Sequence, residues 1–155
     1  MKKAKKTALI LATIISVNIN TAFAKDSVEG LWLTENKRAV INIEKCEDSI
    51  CGKIHWIIEG GLQRDIHNED PALKNQPMCG LKILGDFKED SPNTWEDGFI
   101  YKADDGDTYS ANIELKDDGT LKLRGYVGFS FLGKTQIWTR ANEEDYKVCS
   151  APTKQ

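Results

Sequence analysis

The chain has 155 residues, with 21 Lys and Arg against 24 Asp and Glu, and a formal net charge of −3. An acidic chain without a stripe of Lys and Arg is repelled by nucleic acid and by anionic membranes, so we expect neither as a partner. The length suits one domain built around one core.

The N-terminus has the three parts of a secretory signal. A positive segment at residues 1–6 precedes an uncharged apolar run at residues 7–17, and Ala22 and Ala24 supply the small residues of a cleavage site. The apolar run is shorter than the roughly 20 residues that cross a hydrocarbon core. The sequence therefore predicts a signal peptide over residues 1–24, no membrane anchor after cleavage, a periplasmic location, and one mature domain over residues 25–155.

All four cysteines, Cys46, Cys51, Cys79 and Cys149, lie in the predicted mature domain. An even number in an oxidising compartment favours two structural disulfides, for which three pairings are possible. Cys46 and Cys51 flank only residues 47–50, so a bond between them is the simplest choice, and Cys79 would then pair with Cys149. The sequence has neither C-x-x-C spacing nor a His–Cys cluster, and we expect no metal site and no cofactor.

Short runs with a period of two predict β-strands along the mature chain. These runs are residues 30–33, 39–44, 53–58, 81–87, 98–102, 109–116, 120–127 and 134–140. Asp118-Gly119 between two of them is a strong hairpin signal. The fold class that we predict is all-β, an antiparallel up-and-down barrel of about eight strands, because consecutive hairpins meander and closure removes exposed strand edges.

One segment, residues 59–78, lacks strand alternation and is long for a loop in a small domain. Within it, Asp70 followed by Pro71 is typical of the first residues of a short helical turn. The segment either covers the mouth of the barrel or fills one end of it as a plug.

Several strings in a fixed order carry a resemblance to a known family. They include Gly30-Leu31-Trp32, Cys79-Gly80-Leu81-Lys82, Arg124-Gly125-Tyr126 and Trp138-Thr139-Arg140. The series spans residues 30–140 and resembles a family of small exported bacterial proteins known as domain of unknown function 2147. The resemblance implies a periplasmic β-barrel-like domain without established catalytic residues.

The first and last of these strings also resemble a lipocalin-like arrangement, in which a Trp near the barrel base is covered by a late Arg. This resemblance implies that Trp32 packs against Arg140 at the base. Such a cation–π contact would contribute about 1 kcal/mol.

The aromatic residues are the best candidates for a binding site. The interior of an eight-stranded barrel is either filled by side chains or wide enough for one small ligand. Trp56, Trp95, Tyr101 and Tyr109 lie in or beside strands, and we expect them to contact such a ligand. The predicted function is a non-catalytic binding protein for a small apolar or amphipathic molecule.

Two other functions remain as alternatives. An envelope protein–protein interaction module, such as an inhibitor or assembly factor, would use the apolar tip at residues 129–132 or the long loop. An enzyme would have to use the loop side chains of Asp65, His67 and Glu69. We rank the enzyme last because the sequence shows no orienting group or oxyanion site around them.

Overall fold

Eight strands and one 3₁₀ turn form the regular structure of residues 27–152, the part of the chain that the computed structural model describes. The strands are β1 (Gly30–Leu33), β2 (Ala39–Cys46), β3 (Ser49–Ile57), β4 (Lys82–Ser91), β5 (Thr94–Lys102), β6 (Asp107–Leu115), β7 (Leu121–Tyr126) and β8 (Lys134–Arg140), and the turn is Ser130–Leu132. The predicted signal peptide, residues 1–24, lies outside the described residues. No helix within residues 27–152 is long and apolar enough to cross a membrane.

Every strand pairs antiparallel with the next along the chain, and β8 pairs with β1 to close a barrel. The predicted up-and-down barrel of eight strands is confirmed. Its alternation is confirmed as well: Ile113 and Leu123, which the period of two places on the inner face, are 1% exposed and pair across β6 and β7.

One hairpin is longer than the sequence predicts. The apolar runs at residues 81–87 and 98–102 continue into a polar ladder, so that β4 ends at Ser91 and β5 begins at Thr94. Lys88 pairs with Glu96, and a left-handed Asn93 closes the turn. Apart from the buried Trp95, the residues added to the two strands are polar, and for that reason the hydrophobic pattern did not reveal this part of the hairpin.

The end of the barrel near this hairpin is densely packed. Trp32, Ile43 and Phe87 are almost completely buried there. A Cβ atom on Gly98 would lie 2.3 Å from the Phe87 ring, so the ring occupies the space that any larger residue at this position would need. Because Gly98 of β5 has no side chain, the phenyl ring of Phe87 can fill this part of the interior.

The barrel closes through a short seam, in which only two residue pairs join β1 to β8. At this seam the Arg140 guanidinium lies 3.8 Å from the centre of the Trp32 ring. Arg140 donates hydrogen bonds to the carbonyls of Ser27 and Glu29, and the Trp32 indole donates to Val28 O at 2.8 Å. Burial lowers the pKa of the Arg140 guanidinium. The two side chains expected at the barrel base are therefore in contact.

Two disulfides link the described part of the chain, Cys46–Cys51 and Cys79–Cys149. The first joins the last residue of β2 to the third residue of β3. The second ties the segment after β8 to the loop before β4, and Cys149 N–H donates to His55 O of β3 at 2.7 Å. The C-terminal segment is thereby held against the outside of the barrel.

We expect the two disulfides to contribute unequally to stability. Replacing Cys79 and Cys149 together by Ala should lower the free energy of unfolding by about 4 kcal/mol, because a long loop regains its freedom in the unfolded chain. The Cys46–Cys51 bond closes a much shorter loop, with a sequence separation of 5 rather than 70 residues. Replacing both of these cysteines by Ala should therefore lower the free energy of unfolding by only about 2 kcal/mol. Urea denaturation of both double variants measures the difference, and equal losses would contradict this explanation.

The seam gives a second prediction. Arg140→Met keeps an apolar side chain in contact with Trp32 but removes the cation. It also leaves the carbonyls of Ser27 and Glu29 without their donor, so we expect the free energy of unfolding to fall by about 2 kcal/mol. Lys45→Met, an exposed site on β2, is the control and should change stability by less than about 0.5 kcal/mol. Thermal and urea unfolding measure both. An Arg140→Met protein as stable as the wild type would show that the seam does not need the guanidinium.

Candidate ligand-binding cavity

The antiparallel order divides the loops between the two ends of the barrel. Residues 34–38, 58–81, 103–106 and 127–133 connect strands at one end, which we call the mouth, and shorter turns connect them at the packed end. A cavity of about 640 Å³ occupies the half next to the mouth. Apolar side chains from several strands line it, among them Ile41, Ile54, Ile100, Leu123 and Trp138.

The long loop at the mouth borders the cavity without filling it. Leu62 and Met78 contribute to the cavity lining, whereas most of the residues between them are exposed. The predicted helical turn is a single turn, in which Lys74 N–H donates to Asp70 O at 2.9 Å, and it does not continue as a helix. The segment was expected either to cover the mouth or to fill one end of the barrel as a plug. It lies at the border of the mouth and does not fill the interior.

A buried carboxylate holds this loop in place. The Asp65 side chain is completely buried and accepts hydrogen bonds from Tyr101 Oη at 2.6 Å, Asn68 Nδ2 at 2.8 Å and Gln76 Nε2 at 3.1 Å. Burial and the Asp65 carboxylate raise the pKa of the Tyr101 hydroxyl well above its usual value. Asp65 therefore anchors the loop to β5.

The other members of the proposed catalytic cluster do not join Asp65. His67 and Glu69 are exposed on the loop, and the carboxylate of Asp65 is already occupied by three neutral donors. Within residues 27–152, the side chains that meet the geometry of a metal site are Glu44, Cys46 and Cys51. Both sulfurs of that group are in a disulfide, so neither is the thiolate that binds metal.

The four aromatic residues predicted to contact a ligand lie in three different places. Tyr101 and Tyr109 border the cavity at the mouth. Trp95 pairs with Ile113 near the packed end and does not line the cavity. Trp56 lies outside the cavity, with its ring 5.0 Å from that of Tyr146 in the C-terminal segment.

A β-bulge explains the position of Trp56. Ile41 pairs with Ile54 and the adjacent Val40 pairs with Trp56, so His55 is an extra residue in β3. The bulge shifts the alternation by one position, and Ile54 and Ile57 face the cavity while Trp56 does not. The simple period of two had placed Ile54 and Trp56 on one face.

Tyr126 and Trp138 line the cavity but were not among the four aromatic residues predicted to contact a ligand. Trp138 is the more deeply buried of the two. It is 1% exposed, lines the cavity and follows Lys134 and Gln136 at alternate positions of β8. This alternation was visible in the sequence, but nothing in it showed that the residues lie at the hollow end of the barrel.

Charged residues border the mouth. Arg38 Nη1 lies 3.2 Å from Asp104 Oδ2, and this ion pair joins the loop after β1 to the loop after β5. Four strands lie between these two loops in either direction around the closed barrel. The ion pair therefore joins opposite sides of the mouth. Lys102 forms an ion pair with Asp105 in the same region.

An exposed apolar tip stands beside the mouth. It consists of Val127, Phe129, Phe131 and Leu132, each about 70% exposed, and the two phenyl rings stack at 5.6 Å. Arg124 holds the loop by donating to Ser130 O at 2.6 Å and to Phe131 O at 3.0 Å. The tip is thus an ordered part of the surface, and Val127 and Leu132 also line the cavity.

Comparison with solved structures shows a similar fold in protein HP1028 from the human pathogen Helicobacter pylori, which belongs to the lipocalin family. The two chains have a TM-score of 0.70 and 21% sequence identity, over 77% of this chain and 86% of that one. At this identity the similarity shows the lipocalin-like fold alone. No curated protein matches the chain.

The family comparison covers the whole barrel. A family model described as "Uncharacterized protein conserved in bacteria (DUF2147)" matches residues 30–140, from the first residue of β1 to the last residue of β8. The chain belongs to the DUF2147 family.

Proposed function

We propose that this protein is a non-catalytic binding protein of the bacterial cell envelope that holds a small apolar or amphipathic molecule inside its barrel. The cavity of about 640 Å³ carries the proposal. Its volume falls within the range of small-molecule sites, roughly 300–1,000 Å³, and its walls are mainly apolar. Transfer of apolar surface from water into such a cavity is favourable by about 25 cal/mol per Å².

The chemistry of the mouth supports a binding role rather than a catalytic one. The Tyr101 hydroxyl is engaged by Asp65, and Arg38 is engaged by Asp104. These groups order loops, and neither belongs to a pair of nucleophile and base. Tyr101 and Tyr109 are the two predicted aromatic residues that we retain as ligand contacts.

A periplasmic location is part of the proposal. Two disulfides indicate an oxidising environment. The signal-like sequence of residues 1–24 supports export.

The purified mature protein should bind the uncharged fluorescent probe N-phenyl-1-naphthylamine with increased emission. Gly125→Leu should abolish that signal, because position 125 lines the cavity and a leucine side chain there would occupy the space of the probe. A Cβ atom at this position would lie 3.3 Å from Ile100, its nearest neighbour. Fluorescence titration measures binding, and circular dichroism checks that the variant is folded.

Ser110→Leu is the matched control for this experiment. It adds the same side chain at an exposed position of the neighbouring strand β6, so the probe should bind as it does to the wild type. Equal probe binding by folded Gly125→Leu protein would place the probe outside the cavity. Failure of the wild type to bind uncharged apolar probes at all would refute the proposed function.

A second candidate, an envelope protein–protein interaction module, is favoured by the apolar tip. Stacked Phe129 and Phe131 are exposed although the chain is acidic and polar overall. Patches of this kind on a soluble domain mark partner surfaces more often than chance. Since Arg124 orders the loop, a partner would meet a preformed surface at little entropic cost.

For this second candidate, a photo-cross-linking amino acid at position 131 should capture one envelope protein in cells. Binding between the two purified proteins should then weaken at least about tenfold in the Phe129→Ser/Phe131→Ser variant, because two exposed rings lose their burial. Val148→Ser, which changes an equally exposed residue on the C-terminal segment, is the control. Unchanged affinity in the tip variant would exclude this surface.

A further inference from the structure

The inner face of β8 changes from charged to apolar along the cavity. Lys134, Gln136 and Trp138 occupy alternate positions, and all three line the cavity. β8 begins at the mouth, so the ammonium lies outermost, the amide follows, and the indole is deepest. One strand therefore offers a polar end and an apolar end to a single elongated molecule.

The orientation of the Gln136 amide is determined by its neighbour. Trp138 Nε1 donates to Gln136 Oε1 at 3.0 Å. An indole nitrogen can only donate, so the carbonyl end of the amide must face Trp138 and the NH₂ end must face away. That NH₂ group has no acceptor among residues 27–152. Every buried side-chain nitrogen in this part of the chain has a hydrogen-bond partner. The NH₂ group of Gln136 has none, so it is not buried, and because Gln136 lines the cavity the group is accessible from there.

The charged side chains of the cavity lining are mainly positive, whereas the whole chain is acidic. The cavity lining carries three cations, Arg38, Lys102 and Lys134, and one carboxylate, Asp104. Arg38 pairs with Asp104, and Lys102 pairs with Asp105. Lys134 has no carboxylate within ion-pair distance in the described part of the chain. An acidic protein thus presents an unpaired ammonium at its cavity.

From this arrangement we infer that the bound molecule is a single-chain amphiphile with an anionic head group, a carboxylate in its simplest form. The carboxylate accepts hydrogen bonds from Lys134 Nζ and Gln136 Nε2, and the apolar chain lies along Trp138, Leu123 and Ile41. This inference rests on the proposed function of the cavity and names the class of its ligand.

The physical basis is the match between two donors and an ionised acceptor. A hydrogen bond between ionised partners is about twice as strong as a neutral one. A cationic head group at the same position would be repelled by Lys134. Because the ammonium is exposed at the mouth, the discrimination is expected to be moderate and to decrease as salt screens the charges.

The test compares three amphiphiles that share one chain length: decanoate, decanol and decyltrimethylammonium. Each is used below its aggregation threshold to displace the uncharged probe from the wild-type protein. Decanoate should displace the probe at an about tenfold lower concentration than decyltrimethylammonium at low salt. Because both ions lose hydration on binding, the difference between them reports the charge at the mouth, and it should shrink at high salt.

Variants assign the preference to the two residues. Lys134→Gln and Gln136→Glu should each shift the ratio of decanoate to decanol affinity about tenfold toward decanol. Gln136→Glu keeps an oxygen for the Trp138 indole, so the probe itself should still bind. Lys45→Gln removes the same charge at the packed end, and the ratio should not change.

The outcomes separate this inference from the function on which it rests. A wild-type protein that binds the probe but does not distinguish decanoate from decyltrimethylammonium would overturn the inference and leave the cavity as a binding site. The same holds if the ratio is unchanged in both the Lys134 and the Gln136 variants. A wild-type protein that binds neither probe nor amphiphile would overturn the proposed function together with the inference.

Discussion

The architecture depends on the closure of the sheet between β1 and β8. An open sheet of eight strands would expose two edges, each a row of unpaired backbone groups. Here only two residue pairs join the edges, and Arg140 reinforces them by covering Trp32 and by binding the carbonyls of Ser27 and Glu29. A single side chain from the last strand thus holds the first strand and the segment before it.

Closure alone does not create a cavity, because the interior of an eight-stranded barrel can be filled completely. In this protein the large side chains are concentrated at the packed end, where Gly98 gives space to Phe87. Near the mouth the inward positions include the small Gly125, and the long loop is held at the border. The burial of Asp65 has a desolvation cost, which three hydrogen bonds offset while they keep the loop out of the interior.

An exposed apolar surface and hydrogen-bond donors lie next to each other at the mouth. Val127 and Leu132 belong both to the exposed tip and to the cavity lining, so an apolar surface continues from the outside of the barrel into it. On the adjacent strand, Lys134 and Gln136 offer hydrogen-bond donors at the same level. For the proposed amphiphilic ligand, both environments would lie within one opening.

The sequence by itself determined the strands and most of the inward positions, because side chains in a strand alternate with a period of two and the core takes the apolar half. It also predicted the number of disulfides, whereas the contact of Trp32 with Arg140 was implied by the lipocalin-like resemblance. It could not place Trp56, since a bulge opposite Val40 and Ile41 depends on the pairing of two strands. The cavity volume, the burial of Asp65 and the orientation of the Gln136 amide were decided only by the tertiary structure. Each of them depends on atoms far apart along the chain, whose distances no local pattern contains.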